Sequence, residues 1–193
     1  RNGRASWSAG GERGERASRV PAVYLPLNAP FEYYGVLARA LLRAPERRLA
    51  LLPEGEARIE PVELAAADRE GVPASLRLFR VIGLTFSPAH IWLEADDSTG
   101  AQVSPWLSVL PAKYAAQLPQ ILAAQAKAET RWSAELARNH ARVPAGGLLI
   151  RNARVFDPRD LSLTPGTSAL VRGERIVRVA PDAELAATGE GVE

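Results

Sequence analysis

The sequence predicts an α+β chain: an antiparallel sheet with a covering helix, a long helical connector, and then an incomplete small β-sandwich segment. Three observations predict it. Apolar residues recur at helical spacing over 31–43 and again across 112–142, the interval between them shifts to strand-like runs split by turn residues, and a strand followed by a hairpin fills the stretch after Gly147. The implied domains are 1–110, an N-terminal α+β domain that lacks its first strands; 111–146, a helical connector; and 147–193, the sandwich segment.

The opening stretch from Arg1 to Arg19 is rich in Gly, Ser, Arg and Glu, with Trp7 as its only large apolar residue, and reads as a hairpin remnant or a loose arm. A turn is expected at Leu27-Asn28-Ala29-Pro30. Beyond it Phe31, Tyr34, Leu37, Leu41 and Leu42 form one stripe, with Arg39 and Arg43 off it, up to Pro45. That is the pattern of a helix lying on a sheet.

From Arg48 to Ser108, residues 49–52, 57–64, 76–81 and 91–94 read as strands. Turn residues at Pro53-Glu54-Gly55, Asp68-Arg69-Glu70-Gly71, Ser87-Pro88 and Asp96-Asp97-Ser98-Thr99-Gly100 separate them into an antiparallel meander. Ile59 with Val62, and Leu76 with Leu78, point to one buried and one wetter face. Over 112–142 an interrupted stripe of Leu118, Ile121, Leu122, Trp132 and Leu136 runs through Ala- and Gln-rich sequence, with Pro119 marking the helix start. Ala123 to Thr130 offers little to bury, so this helix is expected to dock at its ends, before Pro144-Ala145-Gly146-Gly147 stops it.

The segment after Gly147 is the most specific. Leu148-Leu149-Ile150-Arg151-Asn152-Ala153 is an apolar strand, and Pro165-Gly166-Thr167 leads into a hairpin that turns at Gly173-Glu174 and returns through Arg175-Ile176-Val177-Arg178-Val179. Strands are expected at 148–156, 168–172 and 175–179. This order of features resembles the start of the amidohydrolase superfamily, in which a strand ending in Asn-Ala, a Gly-Thr pair and a Gly-acidic-Arg-Ile hairpin belong to the small β-sandwich beside the barrel. The resemblance covers about the last quarter of the chain. Tyr24-Leu25-Pro26-Leu27, Leu51-Leu52-Pro53-Glu54-Gly55-Glu56-Ala57 and Val103-Ser104-Pro105-Trp106 are also similar to an extra N-terminal domain of some exported bacterial amidohydrolases.

The resemblance implies a non-catalytic N-terminal portion of a metal-dependent hydrolase. The parent's zinc or other divalent metal, its His-x-His pair and its TIM-like barrel would lie downstream of Glu193, and the remainder of the parent polypeptide is the expected partner. An exported, periplasmic location is implied by the same resemblance. The alternative is a non-enzymatic binding or interaction module, or a structural lid or spacer. Arg1 as the first residue and the lack of any Met suggest a true beginning further upstream.

Composition bounds these readings. The 193 residues carry 24 Lys and Arg against 22 Asp and Glu, which gives no electrostatic footprint for nucleic acid. Lys113 and Lys127 are the only lysines. Cysteine is absent, which excludes disulfides, thiolate nucleophiles and cysteine-ligated zinc. No apolar run approaches the roughly 20 residues needed to span a bilayer.

No catalytic, cofactor-binding or metal-binding residue is assigned from sequence. His90 and His140 stand alone, the first expected to line a sheet face and the second to suit a helix C-terminus, and neither has a second His at metal-binding spacing. Gly166-Thr167-Ser168-Ala169-Leu170 lacks the last Gly of a nucleophile elbow, and a hairpin follows where that motif requires a helix, so Ser168 is read as structural. Gly10-Gly11-Glu12-Arg13-Gly14 lacks the Gly-Lys-Ser/Thr ending of a phosphate loop. Asp96, Asp97, Asp157 and Asp160 lack EF-hand spacing and are read as turn residues. Trp7, Trp92, Trp106 and Trp132 are expected in the core or at domain contacts rather than on a ligand.

Overall fold

The apolar stripe of 31–43 becomes helix α1, Phe31–Arg43, which begins after the extended Pro30 and stops at Ala44, itself extended ahead of Pro45. Leu37, Ala38 and Leu41 on that stripe are buried. The computed structural model describes residues 3–9, 11–17, 21–26, 29–142 and 144–185. The turn expected at Leu27-Asn28 therefore lies outside the described residues, as do Gly10 and the end of the chain after Leu185. The chain is α+β and divides into two compact units, with the boundary between Ala134 and Glu135.

The first unit opens with a hairpin of β1 (Arg4–Ala9) and β2 (Glu12–Ala17). Its main feature is a seven-stranded sheet built in chain order from β3 (Ala22–Tyr24), β4 (Arg48–Leu52), β5 (Glu56–Pro61), β6 (Arg77–Ile82), β7 (Ala89–Leu93), β8 (Thr99–Val103) and β9 (Ser108–Val109). β3 joins β4 in parallel, and the other neighbours pair antiparallel. β5 stops at Pro61, short of the expected 57–64 strand, although the Val62 N–H still donates to Leu78 O of β6 at 2.9 Å. β3, β8 and β9 were not expected from sequence, and Thr99 and Gly100, read as turn residues, belong to β8.

Both faces of this sheet are packed. Leu51, Ile59, Phe79, Val81, Ile91 and Leu93 join Leu37 and Leu41 of α1 in one core. Leu78, Trp92, Ala101 and Val103 point the other way and pack with Ile121, Ala124 and Ala128 of helix α2, Leu118–His140. The expected wetter face is thus buried as well. The physical reason is in the strands themselves: Leu78-Phe79 and Ile91-Trp92-Leu93 are apolar at both parities of a period-two repeat, as two-sided burial requires.

Helix α2 follows a 3-10 stretch at Ala112–Gln117 and has Pro119 in its first turn, where a missing N–H costs nothing. The expectation that it docks only at its ends does not hold. Ala124, Gln125 and Ala128, inside the 123–130 stretch, are buried along with Ile121 near the start of the helix. Alanine contributes little area of its own, but it lets the helix backbone come close to the sheet, where Trp92 supplies the bulk. No helix among the described residues is long and apolar enough to cross a membrane.

The second unit holds a three-stranded antiparallel sheet of β10 (Leu148–Asp157), β11 (Ser162–Arg172) and β12 (Arg175–Pro181), where the sequence places strands at 148–156, 168–172 and 175–179. Gly173 turns the hairpin with φ of 57°, between the paired Arg172 and Arg175. One turn of helix, α3 (Asp182–Leu185), packs on this sheet, and Leu185 is buried along with Ser168 and Leu170. On the opposite face the register aligns Leu148 and Ile150 with Val171 and Ala169, and these with Ile176 and Val179. Leu148, Ile150, Ile176 and Val179 there are exposed.

Candidate binding cleft

Because β7 and β8 run antiparallel, the start of one and the end of the other meet at the same end of the sheet, which brings His90 close to Gln102 and Val103. The first turns of α1 add Phe31 and Tyr34 there, and the middle of α2 adds Gln125 and Glu129. Together they line a cleft of about 560 Å³. That is the size of a small-molecule site.

One wall is an ordered polar chain. The indole Nε1–H of Trp92 donates to Gln125 Oε1 at 3.0 Å, which fixes the amide so that Nε2 donates to Val103 O at 3.1 Å and to Glu129 Oε1 at 2.9 Å. His90 Nδ1 lies 3.1 Å from the same carboxylate oxygen. Burial pushes the His90 imidazole below its ordinary pKa, and nearby Arg80 adds to that, although Glu129 pulls the other way. A neutral His90 therefore donates its Nδ1–H to Glu129. Arg80 is itself engaged by Glu60 at 2.8 Å and lies over the Trp132 ring.

The opposite wall is aromatic. Ser104 Oγ accepts the Leu107 N–H at 3.1 Å and donates to Leu107 O at 2.7 Å, closing a tight turn that presents Trp106 to solvent at 80% exposure. The Phe31 and Trp106 ring centroids are 6.5 Å apart. Gln102 lines the cleft as well, and its Oε1 is buried without a hydrogen-bond partner among the described residues.

His90 lines a sheet face, as the sequence suggests, but it is joined there to a carboxylate that sequence does not reveal. His140 is exposed at the last position of α2. Asp96 accepts from Ser98, Asp97 pairs with Arg77, Asp157 with Arg159, and Asp160 accepts the Ser162 N–H, so these four carboxylates serve two turns, one after β7 and one after β10. No group of three His, Asp or Glu gathers to hold a metal among the described residues. Trp7 stacks on Tyr24, Trp92 fills the core, and Trp106, expected in the core or at a domain contact, stands exposed at the cleft.

Ser168 is buried, accepts the Asn152 N–H at 3.1 Å and donates to Asp182 Oδ1 at 2.5 Å. Arg151 clamps the same carboxylate at 3.1 and 2.7 Å. The Arg151 guanidinium and the Ser168 hydroxyl hold Asp182 down at a pKa of about 2. Ser168 thus gives its proton to a weak base, with no imidazole beside it, and fastens α3 to the sheet rather than acting as a nucleophile.

Comparison with known proteins finds no matching family model, curated protein or solved structure. The contributors missed at the sequence level are Phe31, Tyr34, Gln102, Gln125 and Glu129. The signal that could have found two of them is the spacing of Ile121, Gln125 and Glu129, which sets polar groups on the buried stripe of α2.

Proposed function

We propose that this chain is the N-terminal, non-catalytic portion of a metal-dependent amidohydrolase, in which β10, β11 and β12 contribute to the small sandwich beside a catalytic barrel. The observation that carries the reading is the uncovered apolar face of that sheet. Its other face is packed by α3, whereas Leu148, Ile150, Ile176 and Val179 remain exposed. A sheet packed on one face and apolar on the other is half of a sandwich. Covering those four side chains with a second sheet would contribute roughly 1 kcal/mol each. The remainder of the parent polypeptide is the occupant this reading commits to.

In such a parent, divalent metal would activate water for attack on a C–N or related bond, with ligands supplied by the barrel. The residues described here would contribute packing and no ligand. The test compares this chain with a longer polypeptide that reaches through the barrel. The longer polypeptide is expected to retain zinc and to hydrolyse amide, ester or lactam substrates, and residues 1–193 to do neither. Tight stoichiometric zinc with turnover in 1–193 alone, or coding DNA after Glu193 that lacks a His-x-His pair, overturns the reading.

A further inference from the structure

We propose that the cleft between Glu129 and Trp106 binds a small protonated primary or secondary amine, with the Glu129 carboxylate as its counter-ion. The inference concerns the first unit alone and does not depend on the amidohydrolase reading.

Charge is the first argument. Glu129 is the only acidic or basic residue, His90 aside, among the described residues lining the cleft. Burial disfavours the charged form of His90, and the Arg80 guanidinium that also acts on it shares Glu60 with Arg58, all three of these residues lying outside the cleft lining. The described lining therefore carries one negative charge, on Glu129, and its natural complement is one cation.

Hydrogen-bonding capacity narrows the class. The two N–H bonds of Gln125 are committed to Val103 O and to Glu129, and the Nδ1–H of His90 is committed to Glu129 as well. Both of these bonds to Glu129 arrive at Oε1, so Oε2 remains for a ligand. An open carboxylate oxygen whose neighbours' donors are already committed selects a ligand that brings its own N–H donor, which separates a protonated primary or secondary amine from a quaternary ammonium.

The aromatic wall supplies the third argument. Trp106 is 80% exposed although it is one of the largest apolar side chains, and its turn is held by two hydrogen bonds of Ser104 rather than left loose. An indole face attracts a cation, and it stacks equally well on the apolar body of an amine. The carboxylate is likewise held in place, by Gln125 and His90, before any ligand arrives. A volume of about 560 Å³ accommodates an arylalkylamine and not a macromolecule.

The experiment is calorimetric titration of the full chain at neutral pH. Phenethylamine is the probe, with 2-phenylethanol, 3-phenylpropionate and N,N,N-trimethylphenethylammonium as its neutral, anionic and N–H-free counterparts. Phenethylamine is expected to bind one to one, and each counterpart at least about tenfold more weakly. Glu129→Gln, which keeps an acceptor for Gln125 and His90 but removes the charge, is expected to weaken the amine by at least about tenfold. Trp106→Ala, at an exposed position, should weaken it about fivefold or more. Equal binding of the alcohol or the carboxylate, equal binding of the trimethylammonium, unchanged affinity in both variants, or no saturable binding of phenethylamine overturns the proposal. The comparison among ligands needs no variant and holds even if Glu129→Gln unfolds the chain.

Discussion

Gln125→Leu is expected to destabilise the first unit by about 2–4 kcal/mol, because the Gln125 amide connects α2 to the sheet. Leucine is close to glutamine in size, so the substitution leaves packing nearly intact and removes the hydrogen bonds. In the native unit Gln125 is buried, receives the Trp92 Nε1–H at 3.0 Å and donates to Val103 O at 3.1 Å. Trp92 is fully buried, so its indole N–H cannot turn to water once the amide oxygen is gone. An orphaned buried donor costs about 1–3 kcal/mol, and the Val103 carbonyl loses a partner at the same time. The greater hydrophobicity of leucine returns roughly 1 kcal/mol. Urea unfolding followed by tryptophan fluorescence measures the difference, with the exposed Gln120→Leu as the control expected within about 0.5 kcal/mol of wild type. A loss below about 0.5 kcal/mol for Gln125→Leu would refute the claim that this amide fastens the helix.

Hydrogen exchange should divide α2 in the opposite sense to the one its composition suggests. Amides near Ile121 to Ala128 are expected to be strongly protected and those from Glu135 to His140 to exchange quickly, since the first group packs on the sheet and the second is exposed; faster exchange near Ala124 than near Arg138 contradicts this. In the second unit, the folded state holds Asp182 at a pKa of about 2 against an ordinary 3.8. The unfolded chain therefore takes up the proton first as the solution is acidified, so the Asp182 contribution is complete above the ordinary value and is lost as pH falls towards about 2. Stability of this sheet measured across that window should fall in the wild type and fall less steeply in Asp182→Asn, and parallel curves would show that the Arg151–Asp182–Ser168 cluster carries no linkage.

Sequence revealed the elements whose apolar residues are large and regularly spaced. The stripe from Phe31 to Leu42 gives α1 at its observed limits, and the hairpin around Gly173 is found where a residue tolerant of positive φ is needed. Sequence concealed the burial of α2, because Ala124 and Ala128 have little apolar area and their burial depends on what faces them, here Trp92. β8 was hidden for a related reason. Its Thr99-Gly100-Ala101 run reads as the end of a turn, yet small residues are what the packing tolerates: a Cβ on Gly100 would run into the Leu76 side chain. At the cleft, His90 and Trp106 were visible as residue types, but the meeting of His90 with Glu129 needs the antiparallel return of the sheet and the crossing of α2 over it.

The two units leave different kinds of surface unsatisfied, and this separates the two proposals physically. The first unit packs most of its large apolar side chains on the two faces of one sheet, and beside them leaves a cleft with one fixed carboxylate. Such a site gains from a small ligand with complementary donors, because what it offers is local to one carboxylate. The second unit has satisfied its polar groups, with Ser168, Asp182 and Arg151 bonded to one another, and leaves an apolar sheet face instead. Relief there scales with area, so it calls for another sheet and not for a small molecule. Amine binding should therefore persist when the exposed apolar face is altered, as in Ile176→Lys, and that same substitution should weaken the packing of any sheet supplied by a longer polypeptide.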